Sequence, residues 1–233
     1  VISLIYFSSP INERSDEPKT FTVTKGDGVK EIAENLQKQE LIRSSFVFKF
    51  FTVEKRVFRR LKAGTYEFSQ SMSTQEIIDK LVLGDVAKEK ITIIEGWNLR
   101  DIGWYFEGRG MFQAEELFEL IGSPLADYGQ NSDFPEPKDF SSDFDFLQDK
   151  PTYVGLEGYF FPDTYEINKG ETLEGIVRKA LDNFNKKVFS GLKGEIGAQG
   201  KSVFEVITMA SMIEKEVQTY QDKKLVSGIL WKR

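Results

Sequence analysis

Phe21-Thr-Val-Thr-Lys-Gly-Asp-Gly-Val-Lys-Glu-Ile-Ala33 changes its period halfway along. Phe21, Thr22 and Val23 alternate as a short strand, and Lys25-Gly-Asp-Gly28 is a turn with Asp27 as candidate N-cap. Ile32, Ala33 and Leu36 then recur at helical spacing. The same mixture continues downstream. A helix starting at Ser44 is expected to carry Phe46, Val47, Phe50 and Phe51 on one side. Residues 63–68 read as a strand entered by a glycine turn. Ser73 and Glu76 form a capping box before Ile77, Ile78 and Leu81, and Gly84 ends that helix. Residues 90–94 read as a further strand. Two helices follow, over about 98–107 and 113–121, and then a polar, acidic stretch at 123–149 with Pro124, Pro135 and Pro137. Residues 156–167 are aromatic-rich and broken by Pro162. Helices over about 172–189 and 202–218 come next, and Leu225, Val226, Ile229 and Leu230 sit at helical spacing near the end. This is an α+β pattern: a small α/β module, then a mixed, largely helical domain.

The 233 residues suffice for one large or two small domains, and 40% hydrophobic residues can fill a core. Lys and Arg total 31 against 37 Asp and Glu, a net charge of −6, which argues against a broad nucleic-acid surface. His and Cys are both absent. That excludes Ser-His-Asp and Cys-His nucleophilic sites, imidazole or thiolate zinc sites, and disulfides. Chemistry must come from carboxylates, Lys, Ser/Thr, Tyr or a carboxylate-bound hard metal. Val1-Ile-Ser-Leu-Ile-Tyr-Phe7 is too short to span a bilayer, which takes roughly 20 apolar residues. It reads either as a buried strand or as the end of a membrane helix, and residues 8–19, with Pro10 and Pro18, have linker composition.

The helix over 202–218 carries the strongest chemical signal. At about 100° per residue, Val203, Val206, Ile207, Ala210, Ile213 and Val217 fall on one arc, with Glu214 near its middle and Glu216 on the opposite, polar side. A carboxylate centred on an apolar face is expected to be desolvated or to line a cleft, which raises its pKa toward the range of a general acid. A buried Glu paired with Arg or Lys suits the same placement. Leu156-Glu-Gly-Tyr-Phe-Phe-Pro-Asp-Thr-Tyr165 sets aromatics beside Glu157, Asp163 and Thr164. Rings that pack on pyranose faces, with polar groups for hydroxyls, fit a sugar site; a Pro-containing core turn fits equally. Residues 55–62, which include Arg56, Arg59 and Arg60, are strongly basic and read as a solvated face or a binding patch.

Leu156-Glu-Gly-Tyr-Phe-Phe-Pro-Asp-Thr-Tyr165 followed by Met209-Ala-Ser-Met-Ile-Glu-Lys-Glu216 resembles the endolytic murein transglycosylase (YceG-like) family. The resemblance extends to Leu61-Lys-Ala-Gly-Thr-Tyr66, to the helix start at Ser71-Met-Ser-Thr-Gln-Glu-Ile77 and to Ile94-Glu-Gly-Trp97, so it covers roughly 20–233. Phe21-Thr-Val-Thr-Lys-Gly-Asp27 with Ile32 and Ala33 is similar to the opening of a LysM module, a peptidoglycan-binding fold, with Gly28 where Ser or Thr is usual. The implied organisation is the end of a membrane anchor and linker at 1–19, a LysM-like domain at 20–88, and a transglycosylase catalytic domain at 89–233. The family continues past the equivalent of Ile229 and Leu230, so the resemblance implies that part of the catalytic domain is missing.

The resemblance further implies a single-pass protein of the bacterial plasma membrane with its catalytic domain outside. It would act on peptidoglycan glycan strands, with peptidoglycan synthases as partners and no metal or organic cofactor. The family's catalytic glutamate falls on Glu214. That residue would protonate the glycosidic oxygen between N-acetylmuramic acid and N-acetylglucosamine, then deprotonate the muramoyl C6 hydroxyl that attacks C1. The product is a 1,6-anhydro end. Glu157, Thr164, Tyr165 and Ser211 are the implied substrate-binding residues. The rivals are a non-catalytic peptidoglycan-binding or scaffolding protein, and a hydrolase that pairs Glu214 with Glu157 or Asp163.

Overall fold

The computed structural model describes residues 2–123, 126–129 and 135–232. Val1, Pro124, Leu125, residues 130–134 of the acidic stretch, and Arg233 lie outside the described residues. The chain divides into two compact units, 1–89 with 166–171, and 90–165 with 172–233. The short return excursion at 166–171 has no signal in the local sequence pattern.

In the first unit, α1 (Ile2–Ser8) precedes β1 (Lys19–Val23), α2 (Val29–Lys38), α3 (Ser45–Glu54), β2 (Gly64–Phe68) and α4 (Thr74–Leu83). Strands β1 and β2 pair antiparallel, with Phe21 opposite Tyr66 and Lys19 opposite Phe68. The pleat sends Phe21, Val23, Tyr66 and Phe68 inward, where they meet Ile32 and Leu36 of α2, Phe48 of α3, and Ile77 and Leu81 of α4. Tyr66 stacks on Phe68 with ring centroids 5.5 Å apart, and its hydroxyl donates to the Lys62 carbonyl at 2.7 Å. The capping box at α4 forms as the sequence predicts, with the Ser73 N–H donating to Glu76 at 2.7 Å, and Gly84 caps the other end in the left-handed conformation.

Three local expectations are corrected. The first apolar run is a helix, not a buried strand, and Ile5, Tyr6 and Phe7 are exposed on it. The N-cap of α2 is Gly28; Asp27 instead accepts the Thr24 N–H at 2.8 Å and closes the turn. The buried side of α3 is Val47, Phe48, Phe51 and Thr52, which leaves Phe46 and Phe50 exposed. The Thr52 hydroxyl survives burial because it donates to the Lys49 carbonyl at 2.8 Å.

The division between units runs through β3 (Lys88–Ile93) and β4 (Asp163–Asn168), which form a second antiparallel sheet. Lys88 and Glu166 pair at 2.6 Å within the first unit, and the Thr92 and Thr164 hydroxyls lie 3.0 Å apart within the second. The second unit otherwise holds α5 (Leu99–Gly108), α6 (Ala114–Ile121), α7 (Leu173–Phe184), α8 (Ser190–Ala198), α9 (Val203–Glu216) and α10 (Tyr220–Leu230). A wider π turn at Asn185–Phe189 joins α7 to α8, so the single helix expected over 172–189 continues further, to Ala198. Phe146 is a centre of this unit's core, with ring contacts to Tyr159, Phe184 and Phe189. Among the described residues no helix is long and apolar enough to cross a membrane.

Candidate functional site

The segment that resembles the family motif is held from both ends. The Leu156 N–H donates to the Ile121 carbonyl at 2.9 Å, and Gly122 and Gly155 let the two backbones meet: a Cβ on Gly122 would stand 2.6 Å from the Gly155 Cα. Leu156, Tyr159 and Phe160 are buried. Between them Glu157 and Gly158 turn outward, and Gly158 holds φ +85°. A Cβ at Gly158 would lie 2.6 Å from Ile207 Cγ2 and 3.6 Å from Ser211 Oγ, so the turn rests directly on α9.

Helix α9 is fixed at its start. The Ser202 side chain accepts the Glu205 N–H, and the Asp149 carboxylate accepts the Val203 N–H at 2.7 Å. The hydroxyl satisfies a first-turn N–H, and the carboxylate places negative charge against the positive end of the helix dipole. Beyond that end α9 is sparsely covered. Only Val203 and Ile213 are buried, and α10 has no buried residue. The result is an open cavity of about 710 Å³ along α9 and α10. Its polar lining is Glu157, Thr208, Ser211, Lys215 and Glu216; Phe204, Ile207, Met212, Val217, Val226 and Leu230 supply apolar walls. A second cavity, about 330 Å³, is lined by Tyr128, Asp139 and Lys150 among others and contains none of the site residues expected from sequence.

Glu157 is the most perturbed carboxylate in the large cavity. Burial pushes its pKa up, and Asp101 adds to the rise; hydrogen bonds from the Leu99 and Gly158 N–H groups and the charge of Lys215 oppose it. By surface area the residue as a whole is exposed. Its Oε2 accepts the Leu99 N–H at 3.1 Å, in the first turn of α5. Lys215 donates to the Gly96 carbonyl at 3.1 Å. The Ile94–Trp97 turn, the Glu157 turn and α9 are thereby tied to one another.

The expected residues separate into three groups. Glu157 and Ser211 share the cavity. Thr164 and Tyr165 belong to β4 and do not line it: Thr164 meets Thr92, and the buried Tyr165 hydroxyl donates to the Phe161 carbonyl and accepts from Asn183 at 3.3 Å. Burial pushes the Tyr165 pKa up. Asp163 accepts from Asn183 at 3.0 Å, and that bond holds its carboxyl below the usual range. Glu214 is exposed, and its side chain has no hydrogen bond or ion pair to any described residue. The desolvation that helical phase suggested is not seen, because Ala210 on the same arc is exposed as well. Glu216, assigned by phase to the opposite side, lines the cavity. Lys215 and Thr208 were missed; Thr208 lies three residues before Ser211 and Lys215 four after it, a spacing that is a usable signal only once the face of α9 is known.

A small β1–β2 module followed by a helical unit with a carboxylate-bearing cavity is the architecture, and its affiliation is clear. The chain belongs to the YceG-like family, whose model matches residues 21–233. A curated relative from Streptococcus pneumoniae (strain D39) is 29% identical over 96% of this chain and 42% of its own length; one from Bacillus subtilis (strain 168) is 26% identical over 96% and 61%. Both are named endolytic murein transglycosylase. The chain thus spans about half the length of the curated relatives it matches. A crystal structure of a putative YceG-like protein from Listeria monocytogenes matches with 24% identity and a TM-score of 0.48, over 93% of this chain and 69% of that one.

Proposed function

We propose that this chain forms part of a membrane-attached endolytic murein transglycosylase that cuts the β-1,4 bond between N-acetylmuramic acid and N-acetylglucosamine in peptidoglycan. The observation that carries the proposal is the family match over 21–233, which includes both the Glu157 turn and the Glu214 helix. The names of the relatives support the same reaction class.

In this reading Glu214 is the single acid/base. It gives its proton to the glycosidic oxygen as the C1–O bond breaks. The resulting carboxylate takes the proton of the muramoyl C6 hydroxyl as O6 bonds to C1, so Glu214 ends reprotonated and no water is consumed. An exposed carboxylate is open to the middle of a strand. Glu157, held at the start of α5, and Ser211 would position the sugar in the cavity, with apolar walls for the pyranose face. Anchoring through the segment preceding β1, an outer-face location, and glycan contact by the LysM-like 20–88 module belong to the same proposal. A second reading draws support from Glu157, whose carboxyl is already raised toward a general-acid range: a hydrolase that pairs it with Glu214. The reducing ends of the products separate the two, anhydro-muramic for the lyase and free muramic acid for the hydrolase.

A further inference from the structure

The basic run at 55–62 has no role in the proposed reaction, and its surroundings give it a different one. Those eight residues hold Lys55, Arg56, Arg59, Arg60 and Lys62 and no acid, in a chain whose net charge is −6. Val57 is buried and pins the run to the core, while the charged residues are exposed. Lys55 pairs with Asp79 at 3.0 Å, and Lys62 donates to the Leu83 carbonyl at 2.9 Å. Arg56, Arg59 and Arg60 have no carboxylate partner among the described residues.

Large apolar side chains stand exposed beside this charge. On α3, Phe46, Phe50 and Val53 are spaced i, i+4, i+7 and so form one stripe, opposite the buried Val47, Phe48 and Phe51. The stripe runs straight into the basic run, where the exposed Phe58 ring lies 5.5 Å from the Arg59 guanidinium carbon. Arg59 and Arg60 also line a shallow recess of about 470 Å³ with Leu83, which is 72% exposed. An apolar stripe of this kind on a small unit marks an interaction surface.

We infer that the outer face of α3 and the run that follows it dock on an anionic phospholipid surface. Unpaired arginines meet the headgroups while Phe50, Val53 and Phe58 enter the acyl boundary. A soluble polyanion would satisfy the arginines but leave the apolar stripe in water, which is why the lipid is favoured. The inference rests on these residues alone and not on the proposed reaction.

The test is co-sedimentation of the 233-residue chain with phosphatidylglycerol/phosphatidylcholine vesicles and with phosphatidylcholine vesicles. Tighter binding to the anionic vesicles, released by 0.5 M salt, is expected. Arg59→Gln with Arg60→Gln should weaken it about twenty-five-fold, or about fivefold per arginine. Phe50→Ser with Val53→Ser should weaken it at least about tenfold. Thermal melts keep the variants interpretable, and the salt response of the parent chain needs no variant. Equal binding to both vesicles would overturn the inference. Loss with the arginine pair but none with the Phe50 and Val53 pair would overturn it in favour of a soluble polyanion.

Discussion

Gly158→Ala probes the joint between the Glu157 turn and α9. Gly158 holds φ +85°, where a residue with a Cβ costs about 1–2 kcal/mol. The new methyl would stand 2.6 Å from Ile207 Cγ2, a branch fixed close to its own backbone that cannot swing clear as the tip of a long side chain would. Relieving that overlap by moving α9 or the turn costs about another 1–3 kcal/mol. At about 2–4 °C per kcal/mol in a chain of this size, the second unit should melt about 4–20 °C lower by differential scanning calorimetry. Gly194→Ala is the control: it lies within α8 with nothing inside 4 Å of its new Cβ, and it should raise stability by about 0.5–1 kcal/mol. Gly158→Ala melting with the parent chain would refute the close contact between the turn and α9.

Two further outcomes follow from groups in the same unit. Tyr159 is 1% exposed and its hydroxyl has no partner among the described residues, so Tyr159→Phe should leave stability unchanged or raise it by about 1 kcal/mol in urea unfolding; a loss of that size would reveal a hydrogen bond. Glu157 has its folded pKa raised above 4.5, so the folded state holds that proton more tightly than the unfolded chain. The stability this confers is full below 4.5 and is lost as pH rises through the folded value. Glu157→Gln should therefore gain on the parent in melting temperature as pH climbs through that window, and a widening advantage for the parent would contradict the assigned burial.

Local signals carried much of the fold. The capping pair Ser73 and Glu76, the terminator Gly84 and the Phe21–Val23 alternation act within a few residues, and each appears where the sequence places it. What failed depends on partners distant in sequence. The pairing of β3 with β4 joins segments about 75 residues apart, and no local period reports it. The buried side of α3 is chosen by what packs on it, and Phe46 has the same hydrophobicity whether it faces the core or water. At the site, Glu157 and Ser211, which line one cavity, were named through the resemblance of residues 156–165 and 209–216 to the family, with the neighbouring aromatics as a local signal for Glu157 alone. The link from Glu157 to the Leu99 N–H was not, since a backbone donor leaves no trace in the sequence. The phase of Glu214 on the helix was read from periodicity alone, and periodicity cannot tell which part of an apolar arc is covered.

Mass spectrometry of the products from purified glycan strands, run in parallel on the parent protein and on Glu214→Gln, tests the proposed chemistry most directly. Internal cleavage with 1,6-anhydro-muramic ends is expected from the parent, and a loss of at least about a hundredfold from the nearly isosteric Gln variant. Free muramic acid at the new ends, or cleavage that survives Glu214→Gln, would contradict it.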